Sequence, residues 1–522
     1  MRGRLTRRDF LRVAGVGVGA AAVAACAATP APGAGEAPPA EAEATQAPAP
    51  VSAEESVKLT TMWRTNPAEN AMLEGIVGVW KETYPNIDLE AIFVPWDEFE
   101  PKLLAMYTGG IAPDVIGMGG TNPYVERFVR GMVRGLRPFL DLDPSIEEGM
   151  WPIAAKAYAI RGDVIGLPWS ITYPGFFYNA TLLEASGVER PPTDWGDTSW
   201  TVDEALAMGK QLTLDKDEDG KTDQFGLNLS HRSPFYLTRL WGEDLVGEED
   251  YAEGILRHLR FDDDAVYQAC LDGMTVIANA IHKDQVTPSP ETAQSLSQLG
   301  PMLKTGALAM DFAAAWALSP PLPEEFEFGA AAEPRARSTG GVGWLNPMQM
   351  ASSTKYPDQA WQFMTFFVSD ERAQTIFIEN TTGKVPPGKA GLKKYVDGWA
   401  PKLVNTNEEL ENMLQGALAQ IKASCPCHIL VGWAAIRDTF RAEMEPVWLG
   451  TKEPKEALDT MIPLMNQTLE EKLKELKLTD AAGTAYPVAA YELASRSGGA
   501  CGCAGCGASC AGCGGGGCGA LA

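Results

Sequence analysis

The sequence predicts an α/β fold, with strands and helices alternating around mostly parallel sheets and a helix-dominated C-terminal third. Three features carry this. From Val57 onward short apolar runs alternate with segments of helical period, the spacing of βαβ units. The body from about Val57 to about Leu493 is long enough to bury a sizeable core in two or three domains. Glycine and proline pairs punctuate the runs where turns are needed, as at Gly109-Gly110.

Val57 to Trp63 reads as the first strand. Glu69 to Tyr84 places Met72, Ile76 and Trp80 on one stripe, with Leu73 and Val77 beside it, which is an amphipathic helix. Leu89 to Val94 is a strand, Asp97 to Tyr107 a helix, and Ala112 to Ile116 a short buried strand. The C-terminal third reads as helices over Asp358–Val368, Asn407–Ala423, Trp433–Trp448 and Pro454–Leu476.

The segment before the body reads as an address. Arg2, Arg4, Arg7, Arg8 and Arg12 precede an uncharged Gly/Ala/Val run to Ala25, a secretory signal layout too short and too weakly apolar to span a bilayer. Thr6 to Arg12 resembles a twin-arginine export signal. Val23-Ala24-Ala25-Cys26 resembles a bacterial lipobox, so Cys26 is expected to carry a lipid once residues 1–25 are removed. A buried helix is the competing reading, but it would not place five arginines in its first twelve residues. Residues 26–56 are mostly Ala, Pro, Glu, Gly, Ser and Thr, which cannot offset their ordering entropy and make a flexible linker. The expectation is an exported protein, lipid-anchored at the outer face of the cell membrane, periplasmic or at the cell surface.

The chain carries 68 acidic and 43 basic residues, a net charge of -25, and loss of residues 1–25 would leave it more acidic still. Such a surface repels nucleic acid and anionic lipid heads, and neither is expected as a partner. Cys270 falls on the helical stripe of Val266, Met274 and Ile277 and is assigned to the core. Cys425-Pro426-Cys427 admits a strained disulfide, a metal-binding thiolate pair or two unrelated thiols, and an oxidising compartment favours the first. The six cysteines of residues 495–522 lie in a Gly/Ala tail without His or acidic partners. That composition favours a low-complexity appendage over a soft-metal site.

Taken in order, several segments resemble the sugar-type extracellular solute-binding proteins of ABC importers, the maltodextrin binders among them. These are Tyr84-Pro85-Asn86-Ile87 with Val94-Pro95-Trp96; Gly109 to Val115; Val164 to Trp169 leading to Phe177-Tyr178-Asn179; Asp215 to Gly226; Gly306 to Met310 with Trp316; Gly340 to Trp344; and Asp358 to Phe363. None is diagnostic alone, but their order and spacing across residues 57–475 are specific. The chain departs from that pattern by an insertion near Trp195 to Trp200 and by the Cys/Gly tail. The resemblance implies a two-lobe periplasmic-binding-protein fold, each lobe a mostly parallel sheet flanked by helices, with the ligand cleft between lobes. It divides the chain into residues 57–165 with 335–370, and 166–334 with 371–494. Crossings are expected near Gly166 to Thr172, Phe328 to Pro334 and Asp370. It implies a receptor that captures a carbohydrate by lobe closure and passes it to ABC permease subunits.

Asp215-Lys216-Asp217-Glu218-Asp219-Gly220-Lys221-Thr222-Asp223-Gln224 offers oxygens at alternate positions and a glycine for the tight turn, the pattern of a calcium loop. The Glu expected at its twelfth position is Gly226, and by resemblance Gln224 takes its place. Asp215, Asp217, Asp219, Lys221 through its carbonyl, Asp223 and Gln224 are therefore expected to hold a structural calcium. An acidic solvated turn is the alternative.

Fourteen tryptophans supply the ligand argument, because a pyranose stacks its C–H face on an indole while its hydroxyls need polar partners. Trp80 and Trp361 lie on helix stripes and are assigned to the core. Trp63, Trp96, Trp169, Trp241, Trp316, Trp344 and Trp433 are expected to line the cleft, with Arg64, Asn66, Asn122, Thr172, Tyr173, Asp311 and Asn346 as polar or flanking groups. Each of these tryptophans has a core reading as an alternative. The four histidines are scattered, and no nucleophile elbow, phosphate loop or His-Glu helix motif occurs, so no catalytic residue is assigned. A carbohydrate-active enzyme stays open because carboxylates abound. So does a receptor for a polyol phosphate or peptide, although the shortage of a clustered basic pocket argues against phosphate.

Overall fold

The computed structural model describes residues 56–117, 123–229, 232–319, 321–381, 383–421, 423–424 and 428–479. Expectations at Cys26, Asn122, Cys425, Cys427 and the C-terminal cysteines lie outside them. Among the described residues no helix is long and apolar enough to cross a membrane.

Strand β1 (Val57–Arg64) leads into the helix Pro67–Thr83, whose first turn is held by Asn66 accepting hydrogen bonds from the Ala68 and Glu69 N–H groups. Asn66 is thus a helix cap. The helix buries Met72, Leu73, Ile76 and Trp80 and returns the chain to β2 (Ile87–Val94), parallel to β1 over its whole length. A turn at Trp96–Glu98 and the helix Phe99–Thr108 then precede β3 (Val115–Gly117), on the other side of β1 and again parallel. Gly117 faces Trp63, and a Cβ at Gly117 would fall 2.3 Å from the indole. Only a residue without a side chain lets that ring lie flat across the sheet.

A small hairpin, β4 (Ala159–Ile160) and β5 (Asp163–Val164), turns through Arg161 and Gly162, both at positive φ. Next come β6 (Leu167–Thr172) and β7 (Pro174–Asn179). After the helix Val202–Leu212 comes β8 (Phe225–Leu229), and further on β9 (Leu308–Ala314), β10 (Phe328–Ala331), β11 (Val342–Met350) and β12 (Ala423–Ser424).

Two sheets result. The first runs β12-β11-β3-β1-β2, with β6 also on β11; the second runs β10-β7-β9-β8. The first is parallel through β2-β1-β3, but β11 enters antiparallel to β3 and β6. In the second only β8 and β9 are parallel, while β7 is antiparallel to both neighbours. The expectation of a mostly parallel sheet in each lobe therefore fails for the second. Its central strand β7 runs against both β9 and β10, which leaves β8-β9 as the sheet's one parallel pair.

The chain changes sheet at Tyr173, between β6 and β7, and again between β10 and β11. The helix beginning at Glu371 does not leave the first sheet as expected, since it packs on Pro67–Thr83, with Ile376 against Gly75. Val385 still pairs with Ile171 of β6. The Trp195–Trp200 insertion is pinned by both indoles, Trp195 donating to the Met413 carbonyl and Trp200 to that of Ala332.

Candidate functional site

A cavity of about 690 Å³ opens where strands of both sheets end, the place where open α/β sheets bind ligands and a size that suits a small-molecule ligand. Trp96 reaches it from the turn after β2, and Val342 and Trp344 come from β11. Arg232, Ser233, Phe235 and Tyr236 come from the segment after β8, and Trp316 from the turn after β9. The helix Trp433–Trp448 lays Trp433, Arg437, Arg441, Glu445 and Trp448 along one wall, with Phe440 and Met444 beside them. That set recurs at three and four residues, so it forms one face of the helix.

Four of the expected tryptophans meet here. Trp316 is 49% exposed and Trp96 37%, unusually open for such large apolar rings. Trp316 lies edge-on to Trp344 at 4.8 Å. Trp433 packs on Phe235 and Phe440 and is only 7% exposed, yet its buried Nε1–H has no hydrogen-bond partner among the described residues. Such a donor is costly to bury unsatisfied, and a ligand oxygen in the cavity would satisfy it.

The other expected residues lie elsewhere. Trp63 and Trp169 are core residues of the first lobe: their rings sit 5.0 Å apart, Trp63 stacks on Phe367, and the Trp63 N–H is satisfied by Thr61. Strand ends predicted their exposure, but both rings point beneath the sheet. Trp241 lines a separate depression with Leu271 and His282. Thr172 is buried in β6, and Tyr173 is buried with its hydroxyl 3.4 Å from that of Tyr395. Burial lifts the Tyr173 phenol to about 12 against the pull of hydrogen bonds to Tyr395 and Trp399. Asn346 is consumed by Ser170. Asp311 accepts from Asn228 and faces a smaller recess shared by Lys304 and Trp316.

Arg64 holds Glu69 bidentately and lies over the Trp96 ring at 5.3 Å. Lys384 closes on the same carboxylate. Burial pushes the Glu69 carboxyl up, but Lys384 and Arg64 outweigh it and hold it at about 2. This buried triad supports the wall that carries Trp96.

Residues not foreseen are the arginines. Arg232 is half-buried, lies 5.6 Å from the Trp448 ring and donates to the Leu229 carbonyl. Burial pulls its guanidinium down to about 10, against the pull of Asp311. Arg441 is lowered by burial and by neighbouring Arg437, against Asp438. The i, i+4 spacing of Arg437 and Arg441 was visible in the chain; their approach to Arg232 was not.

In the acidic loop, carboxylate oxygens of Asp215, Asp217 and Asp223 come within 4.8 Å of one another. Gly220 at φ +84° makes the turn. Asp219 is instead engaged by the Lys221 ammonium at 2.9 Å, and Gln224 is buried with its amide donating to the Leu212 carbonyl. Three of the six expected ligands are thus grouped, and the donor set suits a hard cation.

Residues 64–374 match the model of the bacterial extracellular solute-binding proteins. A putative binding protein of Brucella abortus is 24% identical over 399 residues, covering 72% of this chain and 84% of that protein. An uncharacterized lipoprotein of Streptomyces antibioticus is 27% identical over 353 residues, covering 64% of this chain and 72% of its own. Among solved structures, an ABC substrate-binding protein of Listeria monocytogenes in complex with cycloalternan matches with a TM-score of 0.66 at 20% identity, covering 80% of this chain and 99% of that one. The maltose/maltodextrin-binding domain from Bdellovibrio bacteriovorus, bound to maltotriose, matches at 0.58 and 18% identity, covering 80% and 100%. These likenesses give the two-sheet fold, and the match over residues 64–374 gives the family: the chain belongs to the bacterial extracellular solute-binding proteins.

Proposed function

We propose that this protein is the substrate receptor of an ABC importer, held by a lipid on Cys26, that captures a carbohydrate between its two lobes and delivers it to the permease. The observation that carries the reading is the cavity where the two sheets meet, walled by Trp96, Trp316, Trp344, Trp433 and Trp448. Indoles at that density suit the C–H faces of sugar rings, and the Trp433 N–H and the arginines suit the hydroxyl equator. The sugar-bound relatives of like fold support the same ligand class.

The test is a thermal-shift screen of the exported protein against mono- and oligosaccharides, followed by calorimetry and product analysis on the hits. A saturable rise in melting temperature with the sugar recovered intact is expected, since a ligand that binds only the folded state stabilises it. Cleaved products would replace the receptor with an enzyme. Anchoring is tested by the mass of the mature N-terminus, which should carry an acylated Cys26.

We further propose that the loop at Asp215, Asp217 and Asp223 holds a calcium ion in a structural role. Bound there, calcium would neutralise carboxylates that otherwise repel one another.

A further inference from the structure

We infer that the solute is an acidic saccharide, whose carboxylate or phosphate is held by Arg232, Arg437 and Arg441 while its ring stacks on the tryptophans. This deepens the carbohydrate reading and rests on it. The protein's net charge of -25 would by itself discourage an anionic ligand. Against that background the cavity is lined by three arginines and a single carboxylate, Glu445. Their positions in the chain, 232 on one segment and 437 and 441 on another, hide the cluster until the helix Trp433–Trp448 is packed beside the segment after β8.

The three arginines are not equivalent. Arg437 has its own counter-ion, Asp438, at 2.8 Å. Among the described residues Arg232 forms no ion pair, with Asp311 the carboxylate that acts on it; its Nε donates to the Leu229 carbonyl and a second nitrogen makes a 3.4 Å contact to Asn228. Its guanidinium carbon lies over the Trp448 ring at 5.6 Å, a cation–π contact that does not neutralise the charge. Arg441, beside Arg437, makes no hydrogen bond or ion pair among the described residues. Two cations in an aromatic cavity, with Asp311 and Asp438 acting on them only at longer range, are costly to hold without a close ion pair, and an oxyanion would relieve both through charge-assisted hydrogen bonds. A neutral sugar would stack equally well but leave that cost in place. The buried Trp433 N–H adds a neutral donor on the same wall.

The test uses the mature protein and pairs of probes that differ only in their anionic groups. Digalacturonate is set against its methyl ester, glucose 6-phosphate against glucose, and inorganic phosphate alone is the third arm. The acidic member of at least one pair is expected to bind at least about tenfold tighter than its neutral partner, and the preference should shrink with added salt. Whichever pair responds identifies the anion as carboxylate or phosphate. Arg232→Gln with Arg441→Gln should abolish the preference, and an unchanged ligand-free melting temperature would show that the variant folds. Neutral members binding as tightly as acidic ones would overturn this inference and leave the carbohydrate reading intact. If no saccharide binds, both fall. Inorganic phosphate binding as tightly as glucose 6-phosphate would reduce the cluster to a simple anion site.

Discussion

Trp316 and Trp433 stand in the same cavity but under different constraints. Trp316 is half exposed against Trp344, whereas Trp433 is buried against Phe235 and Phe440, its N–H without a partner among the described residues. Removing either indole should cost about 1–3 kcal/mol of sugar binding, roughly tenfold to a hundredfold in affinity. Trp316→Ala should fold normally, and Trp433→Phe, which keeps most packing, should separate the N–H from the ring. Trp63→Ala should instead lower stability by about 3–5 kcal/mol, because that ring fills the first core. Calorimetry and urea melts check both; undiminished affinity in the two cavity variants would move the ligand elsewhere. Glu333 makes a separate residue-scale prediction. It is buried between β10 and β11, where it accepts from Tyr236 and from the Gly340 and Gly341 N–H groups. Burial raises its carboxyl to about 7, against those hydrogen bonds. A carboxyl that holds its proton more tightly folded than unfolded contributes stability at low pH and loses it as pH rises from about 4.5 to about 7. Glu333→Gln should flatten that part of the profile. Identical slopes of urea midpoint against pH in both proteins would refute it.

Strand β8 separates two sites. The acidic loop precedes its first residue, Phe225, and the segment bearing Arg232 follows its last, Leu229, so the two lie about 16 Å apart along the strand. Calcium removal by EDTA should therefore lower the melting temperature by a few degrees while leaving saccharide affinity nearly unchanged. Asp215→Ala with Asp217→Ala should abolish the EDTA response. A response that survives the double substitution would return the loop to an acidic turn. The loop also shows where elements were readable in the chain. Helices Pro67–Thr83 and Trp433–Trp448 match their apolar stripes to within two residues, because burial of one face sets their period. Pairing in the second sheet was not readable, since strand partners are a tertiary choice. Asp219 fits a calcium pattern by spacing and Gln224 by resemblance, but a neighbouring ammonium engages the first and the core takes the second. The face of Trp433–Trp448 reads identically as core or cleft by period; only packing distinguishes them.

At the scale of the molecule, the cavity has no single owner. Trp96 and Trp344 come with the first sheet, Arg232 and Trp316 with the second, and the walls meet where Trp316 touches Trp344. A ligand on one wall alone leaves the other set of rings wet, so the state with both walls engaged has the higher affinity and binding must favour it. Tyr173 and the β10–β11 connection, where the chain changes sheet, are the segments about which the lobes would turn. Saturating a saccharide that passes the thermal screen should therefore reduce the radius of gyration in small-angle scattering. Trp96→Ala tests the argument further. It removes a first-sheet contact without touching the second-sheet wall, so a saturated sample should still hold ligand by calorimetry but compact less. Equal radii with and without ligand in the unsubstituted protein would mean that the cavity binds without closing, and the hinge reading would fail.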